Sequence, residues 1–197
     1  MVSTILPVET DRLRLRAFQR DDHRALCQYY ALPEVQRHLD WRARDEAETG
    51  AALEGLRRQV SVQRPGDCLT LAIERKVDMA LVGHVSIRWS DATAGQGELR
   101  LVINPIHRRN GYGAEAARRA IDLGFDTLDL HRVFARCDAR SQAPARLAKK
   151  LGMRLEAHYR EHALFQGEWD EELHFAILDR EWRHADDVRE LRKTRVA

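Results

Sequence analysis

A short segment at residues 108–114 combines basic side chains with two glycines, directly before a stretch with helical spacing of apolar residues. Glycines allow main-chain N–H groups to approach a ligand closely, and the N-terminus of a helix carries partial positive charge. A phosphate group is the ligand that such a loop attracts. We therefore predict an anion site formed, in order, by Arg108, Arg109, Asn110, Gly111, Tyr112, Gly113 and Ala114.

Several loop types could use this pattern. The Walker type is excluded because no Gly-Lys-Ser/Thr sequence follows. The dinucleotide type stays open, since Gly111, Gly113 and Ala116 satisfy its relaxed pattern and Asp129 lies near the position of a ribose-binding acid. Residues 105–110 nevertheless separate the loop from the preceding strand, which a dinucleotide turn does not favour. A plain strand-to-helix turn is the remaining interpretation.

The composition narrows the class of protein. A chain of 197 residues with 44% apolar residues fits one domain. Its 33 basic and 31 acidic residues nearly cancel, which favours neither nucleic acid nor a membrane as partner. Three cysteines without a CxxC pair indicate neither a disulfide framework nor a zinc site, and no metal is expected. With no signal-like or membrane-spanning segment, we expect a cytoplasmic protein.

The order of elements predicts the fold class. Strand-like runs separated by short polar turns indicate an antiparallel meander, and later strands alternate with helices. The expected class is α/β (α+β), with a mixed, mostly antiparallel central sheet flanked by helices. Predicted strands cover residues 12–18, 69–74, 80–89, 97–103, 132–137, 153–159 and 173–178, and predicted helices include 44–60, 114–125 and 145–151.

The chain resembles the GNAT superfamily of N-acetyltransferases, on several motifs in one order. Arg108, Gly111 and Gly113 fit its loop, in which Gln or Arg is followed by two variable residues, Gly, a variable residue, and Gly or Ala. Residues 98–105 and 132–138 look like its fourth and fifth strands, and residues 147–153 like the helix and Leu-Gly-Phe signature that follow. The segments 9–16, 159–161, 167–170 and 181–182 are similar to the RimJ/RimL branch, which acetylates ribosomal-protein N-termini.

This resemblance implies a domain over residues 9–182, with residues 183–197 as a charged helical extension. It implies a sheet splayed at the fourth and fifth strands, with acetyl-CoA as co-substrate. The pyrophosphate would lie on main-chain N–H groups of residues 109–114 while Arg108 adds charge, and the pantetheine arm would run beside Val102 and Ile103. The acetyl group would pass directly to an amine, without a metal or a covalent intermediate. The apolar stripe of the extension packs on its own domain or leaves a homodimer contact open.

The same resemblance implies roles for single residues. Glu98 matches a fourth-strand carboxylate that could take the amine proton, or else it is a surface acid at a strand end. Ser141 could donate a hydrogen bond, although Pro144 stands where the family often has a second hydroxyl. Ala148 replaces a tyrosine that can protonate the leaving thiolate, so the general acid is unassigned. Trp41 falls where this branch places a segment over the acceptor, which makes it a candidate substrate contact or a packing residue.

The acceptor is a protein N-terminal amine on the leading hypothesis. An α-amino group, with a pKa near 8, needs only modest base assistance, whereas a lysine amine is mostly protonated at neutral pH. A polyamine or aminoglycoside acceptor stays open, and an acidic groove would favour it. A non-catalytic acyl-CoA-binding module is the alternative from another class. Acidic residues that such a groove could use are Asp40, Asp45, Glu46 and Glu48.

Overall fold

The computed structural model describes residues 6–36, 45–165 and 167–185. They form an eight-stranded sheet in the order β1-β2-β3-β4-β5-β6-β8-β7. Only the β5–β6 pair is parallel, and the other neighbours are antiparallel. The strands are β1 (Val8–Glu9), β2 (Leu13–Arg16), β3 (Cys68–Arg75), β4 (Leu81–Asp91), β5 (Gln96–Ile103), β6 (Arg132–Asp138), β7 (Arg154–Phe165) and β8 (Glu168–Leu178). The predicted mixed, mostly antiparallel sheet is confirmed.

Helices cover both faces of this sheet. They are α1 (His23–Tyr30), α2 (Pro33–Gln36), α3 (Glu46–Arg58), α4 (Tyr112–Asp126) and α5 (Gln142–Lys150). The larger apolar core packs α4 and α5 against one face, and we call this the α4 face. A smaller core packs α1 and α3 against the opposite face, which we call the α1 face. Because strand side chains alternate, each strand serves both cores.

Several boundaries differ from the sequence prediction. The third helix spans residues 46–58 rather than 44–60, because the Asp45 side chain caps it by accepting from the Glu48 N–H at 2.8 Å. Helix α4 begins at Tyr112 and not at Ala114, since Gly111 adopts the left-handed conformation directly before it. Helix α5 begins three residues early, with Pro144 in its first turn.

The last hairpin is much longer than predicted. Strand β7 continues to residue 165 and β8 begins at residue 168, so the hairpin extends beyond the apolar ends of both strands. Its outer half carries charged residues on both faces, and the exposed Leu164 and Trp169 lie opposite each other near its tip. Sequence alternation indicates a strand only where one face is buried, which explains the shorter prediction.

The chain end packs on α4 as far as it is described. Residues 179–185 are helical, and buried Trp182 contacts Phe125 and donates from Nε1 to Asp122 at 2.8 Å. Most of the predicted extension, residues 186–197, lies outside the described residues, as does Trp41. Of the helices described here, none combines the length and the apolarity needed to cross a bilayer.

Candidate active site

The cleft of the sheet lies between β5 and β6. Their parallel pairing joins only Gln96 with Arg132, Gly97 with Val133, and Glu98 with Phe134. Beyond Glu98 the register records no further pair, although β5 continues to Ile103 and β6 to Asp138. The two strands therefore diverge after a short contact. They contain the segments that resemble the family's fourth and fifth strands, and they are numbered one higher here because of the short β1.

The main chain of β5 alternates between this cleft and β4. The carbonyl oxygen of Val102 lies against Gly83 of β4, and the Asn104 N–H donates to Val82 at 2.9 Å. Because N–H and C=O of one residue in a strand point the same way and alternate along it, the main chain of Ile103 faces the cleft. The Arg108 Nε donates to the Ile103 carbonyl at 3.3 Å. Of the two predicted pantetheine neighbours, Ile103 thus offers main-chain groups, while Val102 contributes its side chain to the α1-face core.

The predicted anion loop folds into a shallow cradle at the start of α4. Arg109 and Gly111 are left-handed, with φ of 65° and 82°. The Asn110 side chain donates back to the carbonyls of His107 and Arg108 at 3.2 and 3.1 Å, which holds the turn. The first turn of a helix leaves N–H groups without helical acceptors, and here they meet an exposed, basic loop. This arrangement can hold an anion.

The structure gives a different steric reason for each of the two glycines. Gly111 supplies the left-handed conformation. At Gly113 a Cβ would lie 3.1 Å from Leu101 Cδ2 and 3.4 Å from Ile103 Cγ1, on the α4 face of β5. Gly113 therefore lets the helix start close against the strand, and its side-chain position faces away from the loop's open side.

Side chains of the N-terminal hairpin bond to the loop and to the first turn of α4, which the sequence analysis did not predict. We call Thr10, Arg12 and Glu115 together the latch. Arg12 donates from Nη1 to the Asn110 carbonyl at 3.0 Å and pairs with Glu115 at 2.7 Å, while Thr10 donates to the same carboxylate at 2.6 Å. The Arg12 guanidinium also lies 4.9 Å from the centre of the Tyr112 ring. Partial burial opposes the charge of Glu115, but the bonds from Thr10 and Arg12 outweigh it and lower its pKa.

Replacing Arg12 tests whether the latch shapes the loop. Arg12→Gln should weaken coenzyme A binding about fivefold, since Asn110 loses its anchor and the Glu115 charge is left uncompensated beside the anion cradle; exposure keeps the effect small. Isothermal titration of coenzyme A into each variant measures it. Arg14→Gln is the matched control, because Arg14 is similarly exposed but pairs with Glu9 and Glu74. Equal affinities of the two variants would show that the latch does not shape the loop.

Glu98, the predicted base, lies at the divergence of the strands. It is 4% exposed on the α1 face, and both of its oxygens are in ion pairs. Oε1 accepts from Arg136 Nε at 2.9 Å and Nη2 at 2.8 Å, and Oε2 lies 3.1 Å from Arg100 Nη2. A strand-end surface acid, the other interpretation, does not fit this burial. These pairs stabilise the ionised form of the carboxylate, which opposes its uptake of a proton.

Ser141 follows β6 and precedes α5, and its N–H donates to the Asp138 carbonyl at 2.9 Å. Ala148 lies within α5, buried in the α4-face core, and its methyl side chain offers no proton. Burial raises the pKa of the Cys137 thiol to about 11, with Asp138 and Glu172 adding to the shift, so this thiol is unsuited to act as a nucleophile.

Histidines with a spacing of four, His158 and His162, lie in β7 and not on a helix. They pair with separate carboxylates, His158 with Glu171 at 3.1 Å and His162 with Asp170 at 3.0 Å. Across the described residues, no group of three or more His, Cys, Asp or Glu side chains is placed to hold a metal ion.

A splayed β5–β6 pair, an anion cradle at the start of α4 and covering helices on both faces define the architecture of an acyl-CoA-dependent acetyltransferase. The family model for the acetyltransferase (GNAT) domain matches residues 12–154. The chain belongs to this family. It is accordingly an N-acetyltransferase with acetyl-CoA as its co-substrate.

Three similar proteins come from bacteria. The uncharacterized N-acetyltransferase YnaD of Bacillus subtilis is 28% identical, over 89% of this chain and 98% of its own length. A Vibrio cholerae structure, provisionally assigned as a ribosomal-protein-serine acetyltransferase, has a TM-score of 0.75 at 23% identity, covering 90% of this chain and 99% of that one. Spermidine N-acetyltransferase from Vibrio cholerae, solved with CoA and spermine, has a TM-score of 0.73 at 20% identity, covering 88% and 99%. Both structural likenesses support the fold.

Proposed function

We propose that this chain acetylates an α-amine at the N-terminus of a protein or peptide. The observation that carries the proposal is the pairing of carboxylates with arginines on the α1 face of the cleft. Three carboxylates described there pair with guanidinium groups of the same chain: Glu98 with Arg136 and Arg100, and Asp138 and Glu168 with Arg140. Glu172 and Asp170 lie beside the imidazoles of His174 and His162, which carry charge only when protonated.

The pairing of these carboxylates with arginines disfavours a polycation as the acceptor. A polyamine carries several positive charges, and its recognition needs carboxylates that are not already neutralised. At the N-terminus of α3, Asp45 uses its side chain to cap the helix. An α-amine brings a single charge and is partly neutral near pH 8. The likeness to a provisionally assigned ribosomal-protein acetyltransferase supports the same acceptor class.

Each region of the acetyl-CoA site has one role in this proposal. The cradle at residues 109–114 holds the pyrophosphate, Arg108 adds charge, and Ile103 pairs its main chain with the amides of the pantetheine arm. The thioester then lies near the point where β5 and β6 diverge. Glu98 as the base, Ser141 as a hydrogen-bond donor and Trp41 as an acceptor contact stay predictions.

A small-molecule acceptor is the second candidate, since one similar structure is a spermidine N-acetyltransferase. Thiol release from acetyl-CoA separates the two, using N-terminal peptides beside spermidine and spermine. We expect kcat/KM for a peptide to exceed that for spermidine at least tenfold. Blocking the peptide's α-amine while leaving a lysine free should abolish turnover. A preference for spermidine would contradict the proposal, and coenzyme A binding without turnover of any amine would contradict catalysis itself.

A further inference from the structure

On the α1 face next to the cleft, three strands bring together a group of titratable side chains. Strand β6 contributes Arg136, β8 contributes Glu172 and His174, and β7 contributes Tyr159 and His162. Arg136 lies directly opposite His174 in the sheet register, two residues past Phe134, the last β6 residue that pairs with β5. His174 therefore lies one strand behind the part of β6 that forms the cleft wall.

The His174 side chain is held by a carboxylate. Its Nε2 lies 2.5 Å from Glu172 Oε1, and the Tyr159 ring packs edge-on at 4.8 Å between ring centres. A carboxylate at Nε2 favours the tautomer with the proton on that nitrogen, which leaves the Nδ1 electron pair available. The side chain remains 26% exposed, so water can reach it.

Charged neighbours surround this pair from each strand packed beside it. Arg136 Nη1 lies 3.9 Å from Glu172 Oε1, and Asp138 on β6 is opposite Glu172 in the register. From β7, His162 Nε2 lies 4.0 Å from the same Glu172 oxygen while its Nδ1 pairs with Asp170. The nearby carboxylates favour a positive charge on His174. Arg136 lies between Glu172 and Glu98, and Glu98 is at the divergence point.

We propose that His174, oriented by Glu172, accepts the proton of the attacking amine in place of Glu98, and that Glu98 acts as a positioning residue for Arg136. An imidazole is the side chain whose ordinary pKa suits proton acceptance near neutral pH, and in this chain both Glu98 oxygens are already in ion pairs. The proposal deepens the proposed function and rests on it only in requiring an amine acceptor.

The amine nitrogen forms a bond to the thioester carbon, and the C–S bond breaks with its electrons leaving on sulfur. The proton that nitrogen loses goes to His174 Nδ1, directly or through one water molecule, and from there to solvent. The thiolate takes up a proton from water, so the products are an N-acetyl amine and free coenzyme A.

The test compares His174→Gln with His162→Gln in the full chain, using whichever amine the parent protein turns over. His162 is the matched control, since it is also a β7–β8 histidine near Glu172 but lies farther along the hairpin. We expect His174→Gln to lower kcat about 100-fold, the low end for a lost general base, with the KM for acetyl-CoA unchanged. The acid limb of its pH–rate profile should disappear. His162→Gln should stay within threefold of the parent.

Glu172→Gln and Glu98→Gln complete the comparison. Loss of orientation in Glu172→Gln should lower kcat about tenfold and shift the acid limb of the profile. Glu98→Gln should lower kcat less than His174→Gln and keep the acid limb. A His174→Gln variant with parental kcat and an unchanged profile would overturn the proposal, as would loss of the acid limb in Glu98→Gln alone.

A measurement without an acceptor separates this proposal from the proposed function. Long-range proton–nitrogen spectra of the labelled full chain report the state of each imidazole. We expect the His174 ring at pH 8 to carry its proton on Nε2 and to have an unprotonated Nδ1. A ring protonated on both nitrogens, or on Nδ1 alone, would overturn the assignment, whereas failure to acetylate peptides with the expected tautomer present would contradict only the choice of acceptor.

Discussion

Replacing Gly111 by valine should raise the dissociation constant of coenzyme A at least tenfold. Gly111 has φ of 82°, a conformation that costs ordinary residues about 1–2 kcal/mol and β-branched residues more. The chain will relieve this cost by moving the turn that aims the α4 N–H groups, and a loss of about 1.4 kcal/mol corresponds to tenfold in affinity. Isothermal titration with coenzyme A, together with urea unfolding of each variant, measures both effects.

Two controls isolate the cause. Gly111→Asn keeps the left-handed conformation accessible and should bind within about threefold of the parent, because asparagine tolerates this region. Gly167→Val imposes the same strain at φ of 86° on the distant hairpin turn, so it should lose stability but retain affinity. If Gly111→Val binds coenzyme A as the parent does, the phosphates lie elsewhere.

The second large effect concerns the pH dependence of stability at His84. This side chain is buried between β4 and α1, its Nδ1 lies 3.1 Å from the Tyr29 hydroxyl, and the rings of Phe18 and Tyr30 pack around it. Desolvation lowers its pKa from 6.5 to about 4. Its neutral form is therefore favoured in the folded protein.

The sign of the effect follows from proton binding. Between pH 6.5 and about 4 the unfolded chain binds a proton at His84 that the folded chain refuses, so the free energy of unfolding rises with pH in this window. The contribution is complete above pH 6.5 and is lost as the pH falls toward 4. At 1.36 kcal/mol per pKa unit the whole shift corresponds to about 3 kcal/mol.

Urea unfolding at pH 7 and pH 4.5 tests this expectation. The parent should lose about 2–3 kcal/mol more than His84→Gln on acidification, because glutamine can still bond to Tyr29 but does not titrate. His131→Gln, which removes an exposed histidine, is the matched control for the loss of an imidazole. Identical losses in the parent and in His84→Gln would mean that the buried ring is not the titrating group.

Much of the fold follows from local pattern. The meander β3–β4–β5 has one face that is apolar along most of its length, so alternation alone locates its strands within two residues. Gly111 and the spacing of apolar residues after it indicate the loop and α4. The divergence of β5 and β6 came only from the family resemblance, because no local signal in residues 96–103 or 132–138 says where pairing stops.

The site was predicted less completely, since its contacts join distant parts of the chain. Arg12 and Glu115 form an ion pair although they are 103 positions apart in the sequence, and neither residue type nor spacing predicts the pair. Glu98 was singled out, but its partner Arg136 belongs to the next strand, 38 residues on. His174 lies in a polar segment, in which the spacing of apolar residues does not indicate which side chains come together. Ion pairs between residues far apart in the sequence depend on which strands are neighbours. The order β6–β8–β7 brings these strands together only in the folded sheet.

The divergence of β5 from β6 also bears on how the chain avoids unwanted partners. An unpaired strand edge invites strands of other molecules, and the outer strands β1 and β7 face that hazard at the rim of the sheet. The edge of β5 is different, because β6 stands on its other side and the two are joined at Glu98. Because β6 pairs with β5 as far as Glu98, an incoming chain can pair only with the part of β5 that follows, which ends at Ile103. We expect so short an edge to favour a small extended molecule that carries amides over the long strand of another protein.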